Sequence, residues 1–142
     1  MGLNAVVYRN ITNIDLGEAR DAAKVDAETG EVYFENHRIA RDVQRDSLKA
    51  AEVRIGNVAE VDALRAEIIR LIGPASQICA RVLHSGSHSG DVIRVSELPA
   101  LASEVQEIHK TGPASQRLRH FLHSLQALIL AATHQGNPIV FV

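Results

Sequence analysis

The segment from Ala114 to His134 constrains the fold of this chain more than any other. At the helical spacing of about 100° per residue, its apolar side chains fall on one arc. They are Leu118, Phe121, Leu122, Leu125, Leu128, Ile129 and Ala132. A long helix with one apolar face has to bury that face against another layer of structure. We therefore predict that the longest helix spans about residues 114–134 and packs on a sheet or on other helices.

Short segments rich in β-forming residues provide the second layer. The sequence predicts strands at residues 3–9, 91–95 and 138–142, and a hairpin at residues 25–34. Gly30 supplies the positive φ that such a turn often needs. We predict an α+β fold with a small, mainly antiparallel sheet, strands near both chain ends, and helices covering one face.

The clearest of the other helices begins after Asn57, which forms a capping-box pattern with Glu60, and ends at Gly73. We predict further helices at residues 15–24, 41–53, 75–83 and 97–110. The helix at 41–53 is expected to open at Asp46 or Ser47.

Composition limits the classes of function. The chain has 142 residues, 46% of them hydrophobic, which predicts one globular domain over residues 1–142. With 15 basic against 17 acidic residues, its net charge of -2 offers no general attraction to phosphate backbones or anionic lipid. Aromatic residues are only 4%, which removes the stacking platforms of single-stranded nucleic-acid binders. We expect neither a nucleic acid nor a membrane as a partner.

The compartment is predicted from the N-terminal sequence and from cysteine usage. The first residues lack the basic start and the long apolar run of a secretory signal. No apolar run approaches the eighteen or so residues of a membrane span. The single Cys79 cannot form an intramolecular disulfide. These features favour a cytoplasmic protein.

The stretch from His84 to Asp91, HSGSHSGD, concentrates groups that catalysis and metal binding use. His84 and His88 are four residues apart, the spacing that presents two imidazoles to one metal ion on a helix. Gly86 and the serines disfavour a helix here, and glycine-serine backbone can also form an anion-binding nest. We interpret the stretch as an ordered turn whose polar side chains, including Ser87, also offer a contact surface.

The histidines do not show the convergent cysteine or carboxylate ligands of a closed metal site, so we expect no cofactor and no stoichiometric transition metal. His120 and His123 fall on the side of their helix opposite the apolar arc, which predicts a solvated face. The serines lack the G-x-S-x-G pattern of a nucleophile elbow.

Acidic residues are concentrated between positions 15 and 35. Seven carboxylates and two basic residues leave a local charge of -5. Such a run is usually a solvated face, and it can also attract a basic partner by long-range steering. Asp26, Glu28 and Glu31 in the predicted hairpin are our candidate contact residues, together with His84, Ser87, His88 and Asp91 of the later loop.

Four short segments resemble a group of small bacterial proteins predicted to be immunity proteins of polymorphic toxin systems. They are AVVYRN at residues 5–10, ETGEVYF at 28–34, RIGN at 54–57 and SGSHSGD at 85–91. The resemblance implies a non-enzymatic cytosolic protein that binds and neutralises one cognate toxin. A small metal-binding protein or hydrolase using His84, His88 and Asp91 is the alternative. A third interpretation is a homodimer joined through the His120 face or a sheet edge.

Overall fold

Six strands form two antiparallel sheets in the computed structural model, which describes residues 2–43 and 45–142 without the side chains of residues 45 and 46. The strands are β1 (Leu3–Tyr8), β2 (Lys24–Val25), β3 (Val32–Tyr33), β4 (Lys49–Gly56), β5 (Val92–Ile93) and β6 (Ile139–Phe141). The larger sheet has the order β4-β1-β6-β5, and β2 pairs with β3 in the smaller one. The predicted α+β class is confirmed, with strands near both chain ends.

The α-helices are α1 (His37–Asp42), α2 (Val58–Ile72), α3 (Gln77–Arg81), α4 (Leu98–Thr111) and α5 (Gln116–Gln135). Short 3-10 turns cover Ile11–Asn13, Gly17–Ala22, Arg45–Leu48 and Val95–Glu97. The predicted helix at 15–24 is thus a 3-10 turn, because few of its residues can be buried. None of the helices described combines the length and apolarity needed to cross a bilayer.

The predicted arc of α5 is confirmed, since all seven of its apolar residues are buried. The helix packs on β1 and β4, while α2 and α4 pack beside it. Side chains alternate across β1, so Ala5 and Val7 face this helical layer while Val6 and Tyr8 face the other side. Helices therefore cover one face of the sheet, as predicted.

The start of α2 is also as predicted. The Asn57 side chain accepts a hydrogen bond from the backbone N–H of Glu60 at 2.9 Å, and the Glu60 carboxylate accepts one from the N–H of Asn57 at 2.7 Å. The helix ends at Gly73, whose φ of 93° suits a residue without a side chain.

The predicted helix at 41–53 is wrong. Helix α1 ends at Asp42, and Lys49–Gly56 instead forms β4, which pairs antiparallel with β1. Ser47 lies in a 3-10 turn, while the predicted capping side chain of Asp46 lies outside the described residues. Pairing with a strand about 40 residues away overrides the helical propensity of lysine, alanine and glutamate in this segment.

A buried carboxylate connects α3 to α4. Glu104 accepts hydrogen bonds from the hydroxyl of Ser76, from the N–H of Gln77 at 2.7 Å and from the N–H of Ile78 at 2.9 Å. Only 8% of Glu104 is exposed. It thereby satisfies the free donors at the start of α3, the helix that leads into the His84 loop.

Candidate functional site

The segment from His84 to Asp91 connects α3 to β5 and is held at the edge of the sheet. The N–H of Gly90 donates to the carbonyl of Phe141 at 2.8 Å, and the N–H of Phe141 donates to the carbonyl of Asp91 at 3.0 Å. The ring of His88 packs on the ring of Phe141, with centroids 4.3 Å apart. Strand β6 thus positions the second half of the loop.

The first half of the loop lies against α2. Arg65 of α2 donates from its guanidinium to the carbonyl of His84 at 3.1 Å. A Cβ at position 86 would lie 2.8 Å from Cα of Val58, closer than real Cβ atoms approach backbone. Gly86 is therefore required by the close approach of the loop to the start of α2.

We expect Gly86→Ala to lower the free energy of unfolding by about 1–3 kcal/mol, because the added methyl group meets fixed backbone and the loop has to shift. Ser87→Ala is the matched control, since the Ser87 side chain is exposed. Urea denaturation followed by circular dichroism measures both variants. An alanine tolerated at position 86 without loss would contradict the described packing of the loop.

Three of the predicted site residues meet on this loop. Oδ2 of Asp91 lies 3.3 Å from Nε2 of His84 and 3.4 Å from Nδ1 of His88. The two imidazole rings have centroids 4.0 Å apart. One donor atom from each of the three residues lies within 4.8 Å of the other two. Asp91, which the alternative interpretation grouped with His84 and His88, therefore does lie beside both imidazoles.

The ring of His88 is held in one orientation. Its side chain is only 5% exposed, and its Nε2 lies 2.8 Å from the carbonyl oxygen of Val82. Because a carbonyl oxygen can only accept, Nε2 carries the proton and donates it. In the neutral ring Nδ1 then carries a lone pair, and this buried atom has no hydrogen-bond partner among the described residues.

Burial lowers the pKa of His88 below its ordinary value, and the neighbouring His84 adds to this effect. The hydrogen bond to Val82 and the charge of Asp91 oppose the shift. The net direction favours a neutral imidazole, which is the form that binds metal ions.

The serines of the loop do not form the pairs that nucleophilic catalysis requires. The Ser85 hydroxyl accepts from the N–H of Ser87 at 3.0 Å, and the two hydroxyls lie 3.5 Å apart. Within residues 2–43 and 45–142, no hydrogen bond joins either hydroxyl to His84 or His88. Ser85 and Ser87 thus contact each other and not an imidazole, the pairing that activates a serine nucleophile.

The other candidate residues lie on the β2–β3 hairpin, which confirms the predicted turn around Gly30. Asp26 accepts hydrogen bonds from the N–H groups of Glu28 and Thr29, both at 2.9 Å, and these bonds lower its pKa. The side chains of Asp26, Glu28 and Glu31 are exposed. The hairpin is therefore an ordered turn that presents acidic side chains to solvent.

The hairpin turn lies beside β5, the strand that follows Asp91. A cleft of about 330 Å³ is lined by Glu28 of the turn and by Val92 and Arg94, among others. The acidic turn and the His84 loop therefore flank the same short edge strand. Comparison with protein-family models, curated proteins and solved structures found no match to this chain.

Proposed function

We propose that this chain is a non-enzymatic binding protein that neutralises a basic protein toxin, with the acidic hairpin steering the association. The observation that carries the proposal is the distribution of charge. Residues 15–35 carry seven carboxylates and two basic groups, a local charge of -5, while the whole chain carries -2. The remaining residues therefore sum to +3, so the net negative charge of the chain comes from this one segment.

The exposure of these groups supports a role in association. All seven carboxylates between residues 15 and 35 are exposed to solvent. An ion pair within this segment joins Lys24 to Glu35 at 2.7 Å. Exposed charges of one sign raise the rate at which an oppositely charged partner is encountered, and they contribute less to the lifetime of the complex.

The class of partner comes from the sequence resemblance to immunity proteins and from this charge. A basic partner such as a nuclease toxin fits an acidic surface, because its own substrate is polyanionic. The adjacency of the acidic turn and the His84 loop supports a contact surface that includes Asp26, Glu28 and Glu31 together with Ser87 and Asp91. We also propose that the protein is located in the cytoplasm.

The test is the association rate with the protein encoded by the adjacent gene. Glu28→Lys and Glu31→Lys reverse two charges, and Asp26→Asn removes a third while keeping the oxygen that accepts the two turn hydrogen bonds. We expect the triple variant to associate about tenfold more slowly at low salt. The difference should shrink at 1 M salt, where the Debye length is about 3 Å.

Glu107→Lys is the matched control for Glu28→Lys, because both change the net charge equally and Glu107 is an exposed residue of α4. It should leave the association rate within about twofold, given that steering depends on where the charge lies. Equal rates for all variants would exclude the hairpin and favour the His84 loop as the contact. A folded chain that does not bind the neighbouring gene product would contradict the proposed function itself.

A further inference from the structure

The carboxylate of Asp91 lies at the spacing of metal ligands from both histidines, and one ligand atom from each of the three residues lies within 4.8 Å of the other two. Its Oδ2 lies 3.3 Å from Nε2 of His84 and 3.4 Å from Nδ1 of His88. Two ligand atoms that each lie about 2.0–2.2 Å from a tetrahedral zinc ion are about 3.3–3.6 Å apart. Both distances agree with that edge length, and they exceed the usual length of a charge-assisted hydrogen bond of about 2.7–2.9 Å.

The hydrogen bond of His88 to Val82 leaves Nδ1 of the ring facing the carboxylate of Asp91. Because Nε2 donates to Val82, the lone pair of Nδ1 lies toward the carboxylate oxygen of Asp91. This buried Nδ1 has no hydrogen-bond partner among the described residues, and a metal ion bound between it and the carboxylate oxygen would satisfy both acceptors.

The hydrogen bond from His88 to Val82 has the form of an outer-shell contact in metal centres. A ligating histidine almost always donates its second N–H to a carbonyl or carboxylate, which fixes the tautomer and the direction of the lone pair. Here the backbone carbonyl at the end of α3 does this. Packing of the ring on Phe141 adds a second restraint on its orientation.

Although the sequence alone leads us to expect no stoichiometric transition metal, we propose from this cluster that His84, His88 and Asp91 bind one divalent transition-metal ion of the zinc class. Two imidazoles and one carboxylate suit Zn²⁺, Co²⁺ or Fe²⁺, whereas Ca²⁺ and Mg²⁺ prefer a shell made of oxygen atoms. The side chain of His88 forms the buried wall of the site, while those of His84 and Asp91 are 37% and 56% exposed. Three protein ligands on an open surface leave the fourth position to water or to a small anion.

The site also connects separate parts of the fold. His84 follows α3 and is held by Arg65 of α2, whereas Asp91 directly precedes β5. A metal ion bound by both residues fastens the helical layer to the edge of the sheet. Binding to the folded state alone should therefore raise the thermal midpoint of unfolding as the metal concentration rises.

The experiment is a zinc titration of the full chain after treatment with a chelator, measured by competition with a chromophoric zinc indicator. We expect one Zn²⁺ per chain, with no competition from Mg²⁺ at a large excess. Asp91→Asn and His84→Ala should each weaken zinc binding by about 100-fold or more, because each removes a direct ligand. Both residues are partly exposed, so the variants should fold, which circular dichroism checks.

The double variant His120→Ala with His123→Ala is the control for adventitious binding. These two histidines are three residues apart on the exposed side of α5 and could chelate zinc weakly. The double variant should keep the affinity of the wild type. Zinc binding that is lost in this variant, or kept unchanged in Asp91→Asn and His84→Ala, would overturn the proposed site.

A spectrum of the unmodified chain gives an answer that does not depend on variants. Long-range ¹H–¹⁵N correlation spectra distinguish protonated, free and metal-bound imidazole nitrogens. On addition of zinc, Nδ1 of His88 should shift to the metal-bound region while Nε2 stays protonated. A proton on Nδ1 that zinc does not displace would show that Asp91 pairs with an imidazolium and would exclude the metal site. Neither experiment involves the toxin, so its outcome is separate from that of the proposed function.

Discussion

Leu125→Ala is expected to lower the free energy of unfolding by about 2–5 kcal/mol, the range measured when a buried leucine is truncated. Leu125 lies in the middle of α5, is 1% exposed and belongs to the core between the sheet and the helices. The loss combines the transfer of the missing methyl groups with the cavity that they leave. Urea denaturation at equilibrium, followed by circular dichroism, gives the value directly.

His123→Ala is the control for Leu125→Ala because it lies two residues away on the exposed side of the same helix. An exposed position without a cap or network should change stability by less than about 0.5 kcal/mol. Similar losses in both variants would mean that the His123 side of α5 is covered in solution, as in the homodimer interpretation. Sedimentation of the wild-type chain would then show the dimer.

Helix α5 could be predicted because its apolar residues repeat at helical spacing within the segment itself. Seven apolar residues recur at helical spacing over about four turns, and the structure buries all of them. The capping box of Asn57 and Glu60 is local in the same sense. Where the decisive interactions lie within one segment, the sequence is sufficient to place them.

Strand β4 could not be predicted, because its stabilisation comes from a distant part of the chain. The strand forms its inter-strand hydrogen bonds with β1, which precedes it by about 40 residues. It also packs on α5. Residues 49–52 favour a helix when they are considered alone. Local propensity loses here to inter-strand hydrogen bonds and burial that a single sequence does not display.

The candidate site likewise has features that the sequence predicts and features that depend on the folded chain. The spacing of His84 and His88 was visible in the sequence, and so was the polar turn. Asp91 could be grouped with the two histidines as an alternative, but its close approach to both rings could not be predicted, because it depends on the contact of Gly86 with Val58 and on the backbone pairing with Phe141. The only indication in the sequence was the carboxylate three residues after His88. Whether it lies beside the imidazoles depends on the conformation of the loop.

The two proposals assign different tasks to neighbouring surfaces. The hairpin places negative charge in solvent, where it acts on the rate of encounter. The His84 loop has a buried imidazole and a fixed backbone, which suit a defined bound geometry better than long-range attraction. Both surfaces border β5, whose two residues pair with β6 at the edge of the sheet. A partner that covers this edge would contact both surfaces at once.

Glu104→Ala is expected to lower the free energy of unfolding by about 2–4 kcal/mol, although it removes no apolar core. The variant leaves the hydroxyl of Ser76 and the N–H groups of Gln77 and Ile78 without their acceptor. The bonds from Ser76 and Ile78 are buried, so water does not replace the lost acceptor there and the cost is the desolvation of these two groups. Equilibrium denaturation in urea measures the loss.

Glu107→Ala is the matched control for Glu104→Ala, because it removes an exposed carboxylate from the same helix three residues later. It should change stability by less than about 0.5 kcal/mol. Since Glu104 holds the start of α3, and α3 ends just before His84, its loss should also increase amide hydrogen exchange in the His84 loop. Equal stability of the two variants would show that α3 keeps its place without this carboxylate, and that the loop is positioned from β6 and α2 alone.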